Sequence, residues 1–119
     1  MILKSDKVNV LGTEYSIKLG NHTEFPPLRE MDGYTDVSIH TIVVDDMNEA
    51  RGSVDSKQDL DSYQRCVLRH ELTHAFLYES GLAENTSNDG AWATNEEMVD
   101  WIAIQFPKML KAFEEVGCI

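Results

Sequence analysis

The chain has 119 residues, 42% hydrophobic and 26% charged, a composition that predicts one folded domain over residues 1–119 and excludes a disordered chain. Its formal net charge of −11 repels phosphate backbones and anionic lipid, so we expect neither a nucleic-acid partner nor a membrane surface. The first ten residues lack the pattern of a signal peptide and no apolar run is long enough to span a membrane, which predicts a cytoplasmic protein.

The first part of the sequence predicts strands. Residues 8–19 (VNVLGTEYSIKL) alternate apolar and polar positions on both sides of Gly12-Thr13, which indicates a hairpin with a tight turn at that dipeptide. Residues 20–36 are interrupted by prolines and glycines and predict a loop with about one helical turn near Leu28. Residues 36–44 (DVSIHTIVV) give the clearest strand, with apolar side chains on both faces.

The second part predicts two helices. The first covers residues 59–80 and ends at Ser80-Gly81, a good helix stop. The second begins near Asn95 and continues to about Val116, with a kink or break expected at Pro107. Strands followed by helices predict an α+β fold, in which a small, mostly antiparallel sheet packs against both helices on one side.

The stretch RHELTHAF, residues 69–76, carries the strongest chemical signal. His70 and His74 lie one turn apart on one face of the first helix, so both imidazoles can bind the same ion. Glu71, about 100° around the helix, can reach a water in the open position of a zinc ion and take its proton without binding the metal itself. A single such histidine is usually a paired core residue, but three ionisable groups on a mostly apolar helix are costly unless they are paired or ligated. The pattern therefore predicts a Zn²⁺ site with Glu71 as general base.

A third ligand is expected from the acidic start of the second helix, ATNEEMVDW. With Thr94 as the N-cap, Glu97 would occupy the capping-box position, which explains Glu97 without a metal. Glu96 has no such role, and Asp100 follows it by one turn, where two carboxylates repel each other unless a cation or an imidazole lies between them. We therefore expect Glu96 to bind zinc and Asp100 to accept the N–H of a ligating histidine. The alternative is an acidic helix start that interacts favourably with the helix dipole.

The stretches HELTH and NEEMVD together resemble the gluzincin metallopeptidases, whose pattern is HExxH followed by NExx[SA]D. Asn95, Glu96 and Asp100 match the second motif, and Val99 replaces its usual small residue. The short spacing from His74 to Glu96 is similar to that of the small single-domain members, the minigluzincins and the ImmA/IrrE-like metallopeptidases of bacteria and phages.

This resemblance implies a zincin-like fold and a zinc-dependent endopeptidase that hydrolyses a peptide or protein substrate. By the same match, the ligands would be His70, His74 and Glu96, the general base and acid Glu71, and the partner of a ligating histidine Asp100. The resemblance also implies that an extended peptide pairs with an edge strand of the sheet, for which residues 41–44 are the candidate.

Peptide hydrolysis also needs a donor for the developing oxyanion. The side chains considered are Tyr34, His40, Tyr63 and Tyr78, each of which could instead be packing or surface. Tyr78, one turn after His74, and His40 rank first among them.

Two alternatives to the enzyme stay open. One is a non-catalytic protein of the same fold, an interaction module or phage accessory protein, in which zinc is structural. A fourth ligand from the protein, such as Cys66, would favour that alternative, whereas an open position would favour the enzyme. The other is an accessory protein without a metal, in which the histidines are fully paired.

Overall fold

The structure is a computed structural model that describes residues 1, 3–85 and 91–119. Its main elements are the strands β1 (Lys7–Val10), β2 (Thr13–Gly20), β3 (Gly33–Asp36) and β4 (Thr41–Asp45), the helices α1 (Leu60–Glu79) and α2 (Glu96–Val116), and short 3₁₀ turns at Pro26–Arg29 and Trp92–Thr94. The predicted α+β class is confirmed. Within these residues, neither helix combines the length and the apolar character that crossing a bilayer requires.

The four strands form one sheet in the order β1-β2-β4-β3. β1 pairs with β2 and β3 with β4 in antiparallel fashion, while the central pair β2 and β4 is parallel, so the sheet is mostly antiparallel as predicted. The predicted hairpin is present, but its turn is Leu11-Gly12, since Val10 pairs with Thr13. Both turn residues have positive φ, 50° and 95°, as a two-residue turn between twisted strands requires.

The prediction of one strand over residues 36–44 is wrong. Residues 37–40 form a turn between β3 and β4, and His40 in that turn has a φ of 50°. The apolar alternation continues through the turn even though Ile39 is exposed, so the pattern alone did not reveal the reversal. As a result residues 41–44, expected to be an edge, lie between β2 and β3, and the edge strands are β1 and β3.

The core lies between the sheet and α1. Buried side chains from three strands, Tyr15 and Ile42 among them, pack with Ala75 of α1, and partly buried residues of α1 such as Leu72 surround them. Asp59 caps the start of α1 by accepting the Ser62 N–H, and the helix ends at the predicted Ser80-Gly81 stop. The sheet therefore supports one face of the helix that carries the HExxH motif.

α2 packs along α1 and is continuous through Pro107, where the sequence predicted a kink or break. Proline has no N–H, so the carbonyl of Ala103 loses its normal donor four residues later. Arg69 of α1 replaces that donor, with its Nε 2.6 Å from the Ala103 oxygen. This hydrogen bond joins the two helices directly beside His70.

Candidate metal centre

Three predicted ligands meet where the start of α2 lies against the middle of α1. Nε2 of His70 and Nε2 of His74 are 3.1 Å apart, and the Glu96 carboxylate approaches them with one oxygen 3.0 Å from His70 and the other 3.1 Å from His74. Glu96 is the first residue of α2, because Asn95, and not Thr94, caps the helix by accepting the Met98 N–H. The capping-box explanation for the neighbouring glutamate is therefore wrong.

The spacing of these ligand atoms fits a tetrahedral ion. Zinc bonds of about 2.0–2.1 Å to nitrogen and oxygen place neighbouring ligands about 3.3 Å apart. The shortest distances in the group, 3.0–3.1 Å, are close to that value before any adjustment of the side chains. Around such an ion, the two imidazoles and the carboxylate could take three corners, which would leave the fourth corner for another ligand.

Asp100 determines how His70 faces this centre. Its Oδ1 lies 2.6 Å from Nδ1 of His70, so Nδ1 donates to this carboxylate, and a neutral imidazole then presents the Nε2 lone pair to the other ligand atoms. That lone pair, the His74 nitrogen and the Glu96 carboxylate are electron-rich atoms in close contact, which repel one another unless a proton or a metal cation lies between them. The donor chemistry of the group thus fits a metal ion, and Asp100 lies behind His70, where a histidine ligand would need an acceptor for its other N–H.

Cys66 does not complete the coordination. It lines the same cleft, yet the group of potential ligand atoms found among the described residues consists of the two histidines and Glu96 alone. Among the described residues, Cys66 is therefore not the fourth protein ligand that a structural zinc site would need.

Glu71 lies beside the centre without belonging to the ligand group. Its side chain is buried, with Oε1 3.9 Å from Nε2 of His70, and its Oε2 accepts a 2.8 Å hydrogen bond from the Thr35 hydroxyl. Burial raises the pKa of the Glu71 carboxyl, and the hydrogen bond from Thr35 and the nearby histidines partly offset this rise. A buried carboxylate with a raised pKa beside a metal centre is suited to proton transfer.

The metal centre opens into a cleft of about 790 Å³. β3 forms one wall with Gly33 to Thr35, α2 forms the other with Glu96, Asp100 and Ile104, and α1 lies at the base. A cleft of this size and shape gives a ligand direct access to the three ligand atoms and to Glu71.

The structure separates the candidates for oxyanion stabilisation. Tyr78 lines the cleft, although its hydroxyl hydrogen-bonds Glu84. His40 lies in the turn between β3 and β4, where its ring packs against Tyr15 at a centroid distance of 5.3 Å, and it is not among the residues that line the cleft.

The two lower-ranked tyrosines both line the cleft. The Tyr63 hydroxyl donates to Asp32, and together with burial this bond raises the pKa of Tyr63 to about 12. Tyr34 lies on β3, the wall opposite α2, and burial raises its pKa. Tyr34 thus lines the cleft from β3, a segment that the sequence predicted as loop.

Comparisons of the chain with family models, with curated proteins and with solved structures found no match. The resemblance to the gluzincins therefore depends on the residues of HELTH and NEEMVD themselves. What the chain does is inferred below from the geometry of the centre and its cleft.

Proposed function

We propose that this protein is a zinc-dependent endopeptidase in which α1, α2 and β3 have a zincin-like arrangement. The observation that carries the proposal is the convergence of His70, His74 and Glu96, with ligand atoms 3.0–3.1 Å apart, beside the buried carboxylate of Glu71. The same cleft has an open side and an edge strand, which a purely structural metal site does not need.

A bound Zn²⁺ would supply Lewis-acid chemistry, polarising a peptide carbonyl and acidifying a water molecule. Glu71, buried beside His70, is placed to accept a proton from a water at this centre and to return it to a leaving amine. Asp100 keeps the Nδ1 hydrogen of His70 in place, so that Nε2 remains free to bind the metal.

The free edge of β3 supports a peptide as the substrate. The Asp45 N–H donates to the Asp32 carbonyl, so these residues form a hydrogen-bonded pair, and hydrogen-bonded pairs alternate along antiparallel strands. In the register of β3 and β4, Gly33 and Thr35 are then the residues whose main-chain groups point away from β4. An extended peptide can pair with these two residues and pass over the metal centre, which moves the expected docking strand from residues 41–44 to β3.

The test replaces Glu71 by Gln, which keeps the shape of the side chain but removes its basicity. We expect the parent chain to bind about one zinc ion and to cleave members of a peptide library, because the centre has three ligands and an open position. The E71Q variant should retain zinc and lose activity by about 10²–10⁴-fold, the usual contribution of a general base.

Glu97→Gln is the matched control, since Glu97 is exposed and follows Glu96 directly. This variant should keep both zinc and activity. A parent chain that binds zinc but cleaves nothing would instead support the alternative of a non-catalytic zinc protein. A folded parent that binds no zinc would contradict both functions.

A further inference from the structure

The side chain of Thr35 connects the edge strand to Glu71. Its Oγ1 lies 2.8 Å from Oε2 of Glu71 and 3.1 Å from the main-chain oxygen of the same residue. A hydroxyl has one hydrogen to donate, and hydrogen bonds to a carboxylate are shorter and stronger than those to a neutral carbonyl. The Thr35 hydrogen is therefore directed to the carboxylate, which leaves Oε1 as the oxygen nearer His70.

Gly33, two residues earlier on the same face of β3, explains how a side chain as short as threonine reaches α1. A Cβ atom at Gly33 would lie 2.8 Å from Val67 and 3.4 Å from the Glu71 side chain, and 3.0 Å from the Val43 carbonyl oxygen. Side-chain carbon at this position would push β3 away from the helix. Glycine allows the close approach, and Thr35 uses it to bind Glu71.

We propose that Thr35 is the positioning residue for Glu71, so that the strand expected to pair with the peptide also fixes the base. This inference rests on the proposed peptidase function. Thr35 points its side chain toward α1, while its main-chain groups face the free edge of the sheet. Substrate pairing and base orientation thus depend on the same residue.

Kinetics of two substitutions test this role. Thr35→Val keeps the shape and strand preference but removes the hydroxyl, and we expect kcat to fall about 10- to 100-fold with KM nearly unchanged, since a misplaced catalytic group costs about this much. Thr35→Ser restores the hydroxyl and should recover most of kcat. Thr41→Val is the control, because the buried Thr41 hydroxyl bonds the Ile39 carbonyl in the turn. Zinc content should be the same in all three variants.

A double-mutant cycle measures the contact without any substrate. Thr35→Val should raise the unfolding equilibrium constant about 10-fold in the parent chain, where a buried carboxylate loses its donor. The same change should have an effect of less than about twofold in a Glu71→Met background, which has no carboxylate. Urea unfolding of the parent, T35V, E71M and the double variant gives the coupling free energy between Thr35 and Glu71.

The outcomes separate the two proposals. A zinc-loaded parent that cleaves no peptide overturns the peptidase function and the Thr35 role together. Cleavage with an unchanged kcat in T35V, or a T35S variant as slow as T35V, overturns the Thr35 role and leaves the peptidase function standing. Additive unfolding energies in the cycle also overturn it, because they show that the hydroxyl does not bind Glu71.

Discussion

α1 carries two polar clusters that differ in how their charges are compensated. The first is the metal group of His70, His74 and Glu96. The second, the Glu79 cluster, consists of Glu79 at the end of the helix with Thr13 and Tyr15 of the hairpin. In the Glu79 cluster each carboxylate oxygen has a hydroxyl donor, Tyr15 at 2.8 Å and Thr13 at 3.1 Å.

The comparison shows that the neighbours of a carboxylate, rather than its burial, distinguish a binding site from a structural contact. The Glu79 side chain is only 15% exposed and accepts from two hydroxyl donors, with Nε2 of His40 3.9 Å from one of its oxygens. Glu96 is far more exposed, at 68%, yet it faces two imidazole nitrogens, one of which presents a lone pair. The Glu79 cluster is complete without a cation, whereas a bound cation would stabilise the three side chains of the metal group.

The largest expected effect is that of removing Glu96, one of the three candidate ligands, on the stability that the protein gains from zinc. At zinc concentrations 100 times the dissociation constant, the parent chain should gain about 2.7 kcal/mol of stability by mass action. Glu96→Ala should gain almost nothing at the same zinc concentration, because one of three ligands is lost. Thermal unfolding with and without zinc measures both increments.

Glu79→Gln is the control for the ligand variant. It should lower the stability of the metal-free protein but keep the full zinc increment, since the Glu79 cluster is complete without a cation. An equal zinc increment in the parent and in E96A would show that Glu96 does not bind the ion.

Asp100→Asn should produce a smaller change. Asparagine weakens the hold on the Nδ1 hydrogen of His70, and loss of such a partner typically lowers metal affinity about 10- to 100-fold. A competition titration against a chromophoric chelator measures this ratio. Glu97→Gln serves as the control. If E97Q lost as much zinc affinity as D100N, the loss would be a general effect of charge and not the loss of a specific hydrogen bond.

The helix part of the site could be predicted from sequence because its geometry is local. Four residues separate His70 from His74, and the helical period places them on one face whatever the rest of the fold does. Local geometry could not predict the position of Glu96, because that position depends on how α2 packs on α1. Its motif NEEMVD indicated the residue, while the Arg69 hydrogen bond to Ala103 that joins the helices had no sequence signal.

The sequence did not predict the part of the site that lies on β3, because that part depends on contacts between residues far apart in the chain. Gly33 and Thr35 lie in a segment with the turn residues typical of loops, and only the pairing of β3 with β4 makes that segment an edge strand. The role of Thr35 appears when β3 lies close against α1, a contact that depends on packing and not on spacing along the chain.

The last prediction concerns the Glu79 cluster and leaves the metal group unchanged. Tyr15→Phe removes one donor from a mostly buried carboxylate and should cost about 1–3 kcal/mol of stability at pH 7, with no change in zinc affinity. Burial and the adjacent Glu79 raise the pKa of Tyr15 above its ordinary value of about 10.

The pH dependence of this cost follows from the raised pKa. The unfolded chain ionises at lower pH than the folded one, so the contribution of the Tyr15 hydroxyl is complete below about pH 10 and is lost as the pH rises further. Urea unfolding from pH 7 to 11 should therefore show the parent chain losing its advantage over Y15F only in the alkaline range. A constant difference across that range would mean that folding does not raise the pKa of Tyr15, and would contradict its bond to Glu79.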